Sequence, residues 1–152
     1  MTGRTRLAVQ RHAWAAFLVA HARLIERVEA AFQTTGLPPL AWYDVLWALE
    51  NGPDGRLRMH ELAERIVLSR SNLSRLADRL ERAGLIRREA CDADRRGAYC
   101  AITDKGREMR KRMWPVYRAE IDRLFARHLT DTQARVIGDC LERIASSAPG
   151  SE

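Results

Sequence analysis

Cysteine is scarce here, three in 152 residues. The odd count and the lack of a CxxC spacing argue against a disulfide scaffold and fit a reducing compartment. The four histidines are scattered, and none pairs with another at metal-ligand spacing, so no metal is expected. No apolar run is long enough to span a bilayer. The opening MTGRTRLAVQRH has no continuous apolar stretch followed by a cleavage site, so the chain reads as cytoplasmic, with no membrane partner. It carries no internal repeat and no low-complexity segment. A nucleophile–base constellation and a phosphate loop are both missing. Asp92 and Asp94 fall in a polar loop with no pocket implied. Neither an enzyme nor a cofactor is expected.

Arginine is what the chain has. It supplies most of a net charge of +6 and a pI near 9.9. It clusters at Arg87–Arg88, at Arg95–Arg96 and within 107–112. Clustered positive charge favours a polyanionic partner.

The most informative stretch is 68–89, LSRSNLSRLADRLERAGLIRRE. Ser69 is a good N-cap, since its hydroxyl can accept from free amides of a first helical turn. Gly84 is a good C′ residue, able to take the left-handed backbone that closes a helix. Between them Leu73, Leu76, Ala77 and Leu80 recur at helical spacing and form one apolar stripe. The opposite face carries Arg70, Ser71, Asn72, Ser74, Arg75 and Arg79. Arginine can bond guanine bidentately, and asparagine suits adenine. Two strands follow at 85–90 and 98–103, joined by a polar turn at 92–97. Arg95 and Arg96 stand at its tip, where the negative potential of a narrow minor groove attracts arginine.

Around this core the spacing predicts a helix over 7–33 with Trp14, Phe17, Leu18, Leu24, Ile25, Val28 and Phe32 on its apolar face. A second helix, 40–50, should bury Trp42, Val45, Leu46 and Leu49. A short strand at 57–59 and a short helix at 61–66 precede the reading helix. Thr103 should cap a helix running to about residue 128 and bent at Pro115. Thr130 and Gln133 form a capping box for a last helix ending near 145. The expected fold is mainly α with a small β component (α+β), a winged helix-turn-helix in the order α1-α2-β1-α3-α4-β2-β3-α5-α6. The reader occupies 40–103 within a single unit of 1–152. The flanking segments 7–33 and 104–145 form a helical arm, too long for the reader to cover, and a two-fold homodimer is expected.

The motifs LRMHELAERIVLSRSNLSRLADRLERAGLIRRE (57–89) and ADRRGAYCAITDKGRE (93–108) resemble the MarR family of bacterial transcription regulators. That resemblance implies that Ser69, Arg70, Ser71, Asn72, Ser74 and Arg75 enter the major groove of double-stranded DNA, and that Arg95 and Arg96 reach the minor groove or its phosphates. It implies that Asp78 pairs with a wing arginine and fixes the wing's angle. The operator would be pseudo-palindromic. Helices one, two and five meet beside the reader in this family, where small aromatic anions bind. Trp14, Phe17, His21, Trp42 and Trp114 are the candidate lining here. The reading is a repressor released by a small aromatic acid. Two alternatives stand beside it: a winged helix used for protein contacts, and a redox-responsive regulator in which Cys91 and Cys100 face each other across the hairpin. Cys140 reads as core.

Overall fold

The computed structural model describes residues 3–66, 70–89 and 98–147. Ser69, Cys91, Arg95 and Arg96, together with the side chain of Arg70, lie outside the described residues. The elements run α1 (Gly3–Thr34), α2 (Leu40–Glu50), β1 (Arg56–Arg58), α3 (Met59–Arg65), α4 (Arg70–Arg82), β2 (Ile86–Glu89), β3 (Tyr99–Ile102), α5 (Asp104–Leu124) and α6 (Asp131–Ser147). The strands form one antiparallel sheet in the order β1-β3-β2. This is the expected mainly helical winged architecture.

Two apolar clusters organise the chain. The larger joins Leu46 and Leu49 of α2, Leu62 of α3, Leu73, Leu76 and Leu80 of α4, and Leu57, Ile86 and Ile102 of the sheet. The smaller joins Val28 and Phe32 of α1, Leu40 and Tyr43 of α2, and Met113 of α5. Because α2 lies between them, it is buried on most sides, Tyr43 included. A single stripe of Trp42, Val45, Leu46 and Leu49 therefore understated its burial.

Several boundaries move for local reasons. α3 begins at Met59, not at residue 61, because Glu61 Oε2 accepts the Arg58 N–H at 2.8 Å; that carboxylate is the third residue of the helix, reaching back to its cap. α5 passes through Pro115 as one element and ends at Leu124, and Ala126–His128 form a separate 3-10 turn. At Thr130 the capping box forms as expected, with the Thr130 N–H donating to Gln133 Oε1 at 2.9 Å.

α1 and α2 meet at a tight corner. The Leu37 N–H donates to Phe32 O at 2.8 Å across Gly36, whose φ of +68° glycine adopts without strain. Pro39 offers no side-chain cap to α2, so Glu29 of α1 accepts the Leu40 N–H at 3.0 Å. Asp44 lies close by. Burial, then the charge of Glu29, pushes its carboxyl up to about 6. Native Asp44 therefore holds a proton more readily than the unfolded chain does. The stability this contributes is present below pH 4 and is lost as pH rises through about 6. Asp44→Asn should melt higher than wild type at pH 7.5 and show a flatter dependence of Tm between pH 4 and 7. A variant that melts lower at pH 7.5 would contradict this.

Candidate nucleic-acid interface

The reading helix has two faces. Leu73, Leu76, Ala77 and Leu80 are almost wholly buried, so the turn of the helix leaves Ser71, Asn72, Ser74, Arg75 and Arg79 exposed on the other side. Asn72, Arg75, Arg79 and Arg82 line an open groove of about 480 Å³ that reaches Ala41 at the start of α2.

The end of α4 is closed as Gly84 predicts. Gly84 takes φ +74°, the Leu85 N–H donates to Leu80 O at 2.9 Å, and the Gly84 N–H donates to Glu81 O at 2.8 Å. This is a Schellman closure, with Leu80 and Leu85 both buried. The same corner receives α5. Thr103 Oγ1 donates to Gly84 O at 2.7 Å and accepts the Gly106 N–H at 3.0 Å. Lys105 Nζ donates to Ala83 O at 2.8 Å, a cation on the negative end of α4. The angle between the reading helix and the long helix of the arm is thus fixed within a few residues.

A second set of bonds ties α4 to the hairpin. Arg88 of β2 donates from Nη2 to Asp78 Oδ1 at 2.6 Å and to Ser74 O at 3.2 Å. Its backbone N–H donates to Glu81 Oε1 at 3.0 Å. Arg88 loses hydration by burial, but the hydrogen bond and charge of Asp78, with the charge of Glu81 beside it, act the other way, and the net result strengthens its hold on a proton. Asp78 does meet an arginine of the hairpin, and that arginine is in strand β2. In the sequence Arg88 stands out only as part of a charge cluster, and Glu81 does not stand out at all. Period-two alternation, with Ile86 inward, would have aimed Arg88 at α4.

The candidate aromatic residues fall into two groups. Trp14, Phe17 and His21 step along α1 with successive ring centroids 6.2 Å apart, and Trp14 is 60% exposed. Trp114 of α5 stacks on Tyr43 at 6.2 Å and meets Tyr117 edge-on, while Trp42 packs against both apolar clusters. Among the described residues no ring contact joins the two groups within one chain.

Cys100 is placed as an unreactive thiol, against the redox alternative, and Cys140 differs from expectation. Cys100 pairs across the sheet with Arg88 and Leu57, so the register does not set it opposite Cys91. It is fully buried, with Sγ 3.1 Å from Met59 Sδ, and burial pushes its thiol up, away from the thiolate that redox chemistry needs. Cys140 is half-buried, not core, because α6 has no buried residue in the single chain. Among the described residues no cluster of three or more His, Cys, Asp or Glu is placed to hold a metal, and no helix is long and apolar enough to cross a membrane.

Comparison with known proteins follows the same lines. The sequence profile of the MarR family matches residues 35–97. The HTH-type transcriptional regulator YkoM of Bacillus subtilis is 31% identical over 83 residues, which are 55% of this chain and 54% of that protein. The chain thus spans about half the length of that curated relative. AbsC, a MarR family transcriptional regulator from Streptomyces coelicolor, superposes with a TM-score of 0.82 at 30% identity, covering 97% of this chain and 95% of AbsC. Sco3205, a MarR family regulator from the same organism solved in complex with DNA, gives a TM-score of 0.86 at 30% identity, covering 95% and 90% of the two chains.

Proposed function

Because this chain belongs to the MarR family, whose members are transcription regulators and not enzymes, we propose that it is a homodimeric, sequence-specific DNA-binding regulator. In this reading it is a repressor released by a small aromatic acid. The observation that carries the DNA reading is the division of α4. One face is locked into the core, and the other offers Ser71, Asn72, Ser74, Arg75 and Arg79 to solvent in one rigid row. Arg70 opens the same helix, and Ser69 precedes it in sequence. Arg95 and Arg96 follow β2 and would lie over the adjacent minor groove. The Asp78–Arg88 bond supports a role for Asp78 in orienting the wing, since it couples β2 to the reading helix. The DNA-bound state of Sco3205, a fold-mate at 30% identity, supports the same partner.

The test is selection of genomic fragments by the purified protein. A shared pseudo-palindromic site is expected, with affinity falling steeply as salt rises. Recovery of random fragments, or affinity independent of salt, would count against the reading.

The dimer rests on the arm. Trp14 and Leu18 of α1 and Val136, Leu141 and Ile144 of α6 are exposed in the single chain, apolar surface of the kind that marks a protein–protein contact. A second copy would cover it. Sedimentation at micromolar concentration should give a dimer, and Leu141→Asp with Ile144→Asp should shift it to monomer and weaken operator binding. A wild-type monomer would overturn this part.

The effector reading is supported by the exposed row of Trp14, Phe17 and His21, whose rings suit stacking and whose imidazole can donate to a carboxylate. Trp42 and Trp114 would complete a lining where arm meets reader. A ligand there would act by favouring a spacing of the two readers that no longer fits the grooves. Salicylate should quench tryptophan fluorescence and lower operator affinity together, and both effects should weaken in Trp14→Ala.

A further inference from the structure

Beside its buried stripe, the reading helix has two flanks, and they differ in charge. Ser74, Asp78 and Glu81 recur at helical spacing toward the hairpin. Arg88 of β2 closes that flank, donating to Asp78 Oδ1 and Ser74 O and, from its backbone, to Glu81 Oε1. Arg75, Arg79 and Arg82 recur in the same way toward α2. With Asn72, Leu76 and Asp78 they line the open groove of about 480 Å³ that reaches Ala41. All three arginines are exposed. Among the described residues none of the three forms a salt bridge. Arg82 Nε donates to the Asp78 backbone carbonyl at 3.2 Å, which lays its side chain back over the preceding turn.

The charge balance of this helix face favours an anion. Arg75, Arg79, Arg82 and Arg88 stand against the carboxylates of Asp78 and Glu81, both engaged by Arg88. Two positive charges remain in excess, on the side of the groove. Glu29 and Asp44 are near the same end of α2 but do not line the groove, and Glu29 accepts the Leu40 N–H. Residues 67–69 bear no charge, and in 90–97 Asp92 and Asp94 are matched by Arg95 and Arg96.

Dimensions divide the helix further. An α-helix with its side chains is about 10–12 Å across, and the major groove of B-DNA is about 12 Å wide. A helix seated there fills the width, so side chains aimed at the floor meet base edges and those on its flanks meet phosphates. A helix-turn-helix reads bases from the first turns of this helix, where Ser71 and Arg75 lie. Arg79 is one turn further on, and Arg82 is about 10 Å beyond Arg75 along the axis. A DNA strand entering the groove between α4 and Ala41 would meet Arg79 and Arg82 together. Arginine grips phosphate in a fork.

We propose that Arg79 and Arg82 bind the phosphates of one DNA strand in the groove between α4 and the start of α2. This rests on the DNA-binding reading and divides the labour of its helix: the opening turns read bases, and the closing turns hold the backbone. The pair sets affinity and the seating of the helix, and adds no base preference, because phosphates carry no sequence information directly.

The experiment titrates the selected genomic site, its single-base variants and a random duplex over a range of salt. R79A/R82A should weaken binding to all of them by a similar factor, at least about tenfold at low salt. Its salt slope should fall by about two for each subunit bound. Its preference for the selected site over single-base variants should stay within about threefold of wild type. R79K/R82K, which keeps the charges, should retain most of the slope, and circular dichroism melting checks that each variant is folded. Selected sites carrying one neutral methylphosphonate at a time locate the contact. Wild type should lose affinity at particular phosphates of each half-site where R79A/R82A loses nothing further. A folded R79A/R82A with the wild-type salt slope overturns this inference and leaves the DNA reading standing. So does one that loses discrimination among single-base variants, since the pair would then be reading bases. A wild type that binds no duplex overturns both.

Discussion

Gly106→Ala should destabilise the protein by about 3 kcal/mol or more, as an overpacking change against groups that cannot swing away. A Cβ at Gly106 would stand 2.1 Å from Leu85 O and 2.9 Å from Ile102 Cγ1. The carbonyl is backbone, already accepting the Thr103 N–H at 3.1 Å, so relief requires the start of α5 to back away from the end of α4. That motion breaks the Thr103 bonds to Gly84 and Gly106 and disturbs the angle of the reading helix. For a chain of this length the loss corresponds to a fall in Tm of roughly 6–12 °C. Gly84→Ala is the informative comparison. Gly84 has φ +74°, but its nearest neighbour to an added Cβ is the flexible end of Lys105 at 3.7 Å. The cost there is left-handed backbone strain alone, about 1–2 kcal/mol. Melting followed by circular dichroism ranks the two. If Gly106→Ala melts within about 2 °C of wild type, less than 1 kcal/mol on that scale, the close contact does not set the corner.

That corner illustrates what could be read from residues alone. Gly84 as a helix end, Thr103 as a cap and the Leu73–Leu76–Ala77–Leu80 stripe were legible because each rests on a local rule, and each forms as expected. The solvent face of α4 followed, since a helix with one buried stripe must expose the residues opposite it. Gly106 was not legible, because its need for a hydrogen at Cα comes from Leu85, twenty-one positions away. Arg88 was visible only as charge, although strand alternation aimed it at α4, where Asp78 and Glu81 stand one turn apart. The burial of α2 escaped a one-stripe reading because clusters flank it on two sides. The aromatic candidates depend on how α1, α2 and α5 cross, which no spacing within one helix determines. The single chain leaves Trp14 and Phe17 in solvent, while Trp114 packs on Tyr43.

Arg75→Glu should abolish specific binding with little effect on the fold. The side chain is exposed on α4 and lines the groove shared with Arg79 and Arg82, so its removal should leave Tm within about 1–2 °C, the range of surface substitutions. A bidentate contact to a base edge is worth roughly 1–3 kcal/mol, and a symmetric dimer loses it twice. The new carboxylate adds repulsion from nearby phosphates, so a loss of at least about a hundredfold in operator affinity is expected. Arg75→Lys separates charge from geometry. It keeps one positive charge and gives up the planar fork, so it should bind random duplex nearly as well as wild type while discriminating less among single-base variants of the selected site. Titrations against the selected site, its single-base variants and a random duplex resolve these cases. If Arg75→Ala weakens all three duplexes equally, Arg75 touches phosphate only and the bases are read by Ser71, Asn72 or Ser74. If Arg75→Glu binds the selected site as tightly as wild type, the exposed face of α4 is not the reading surface.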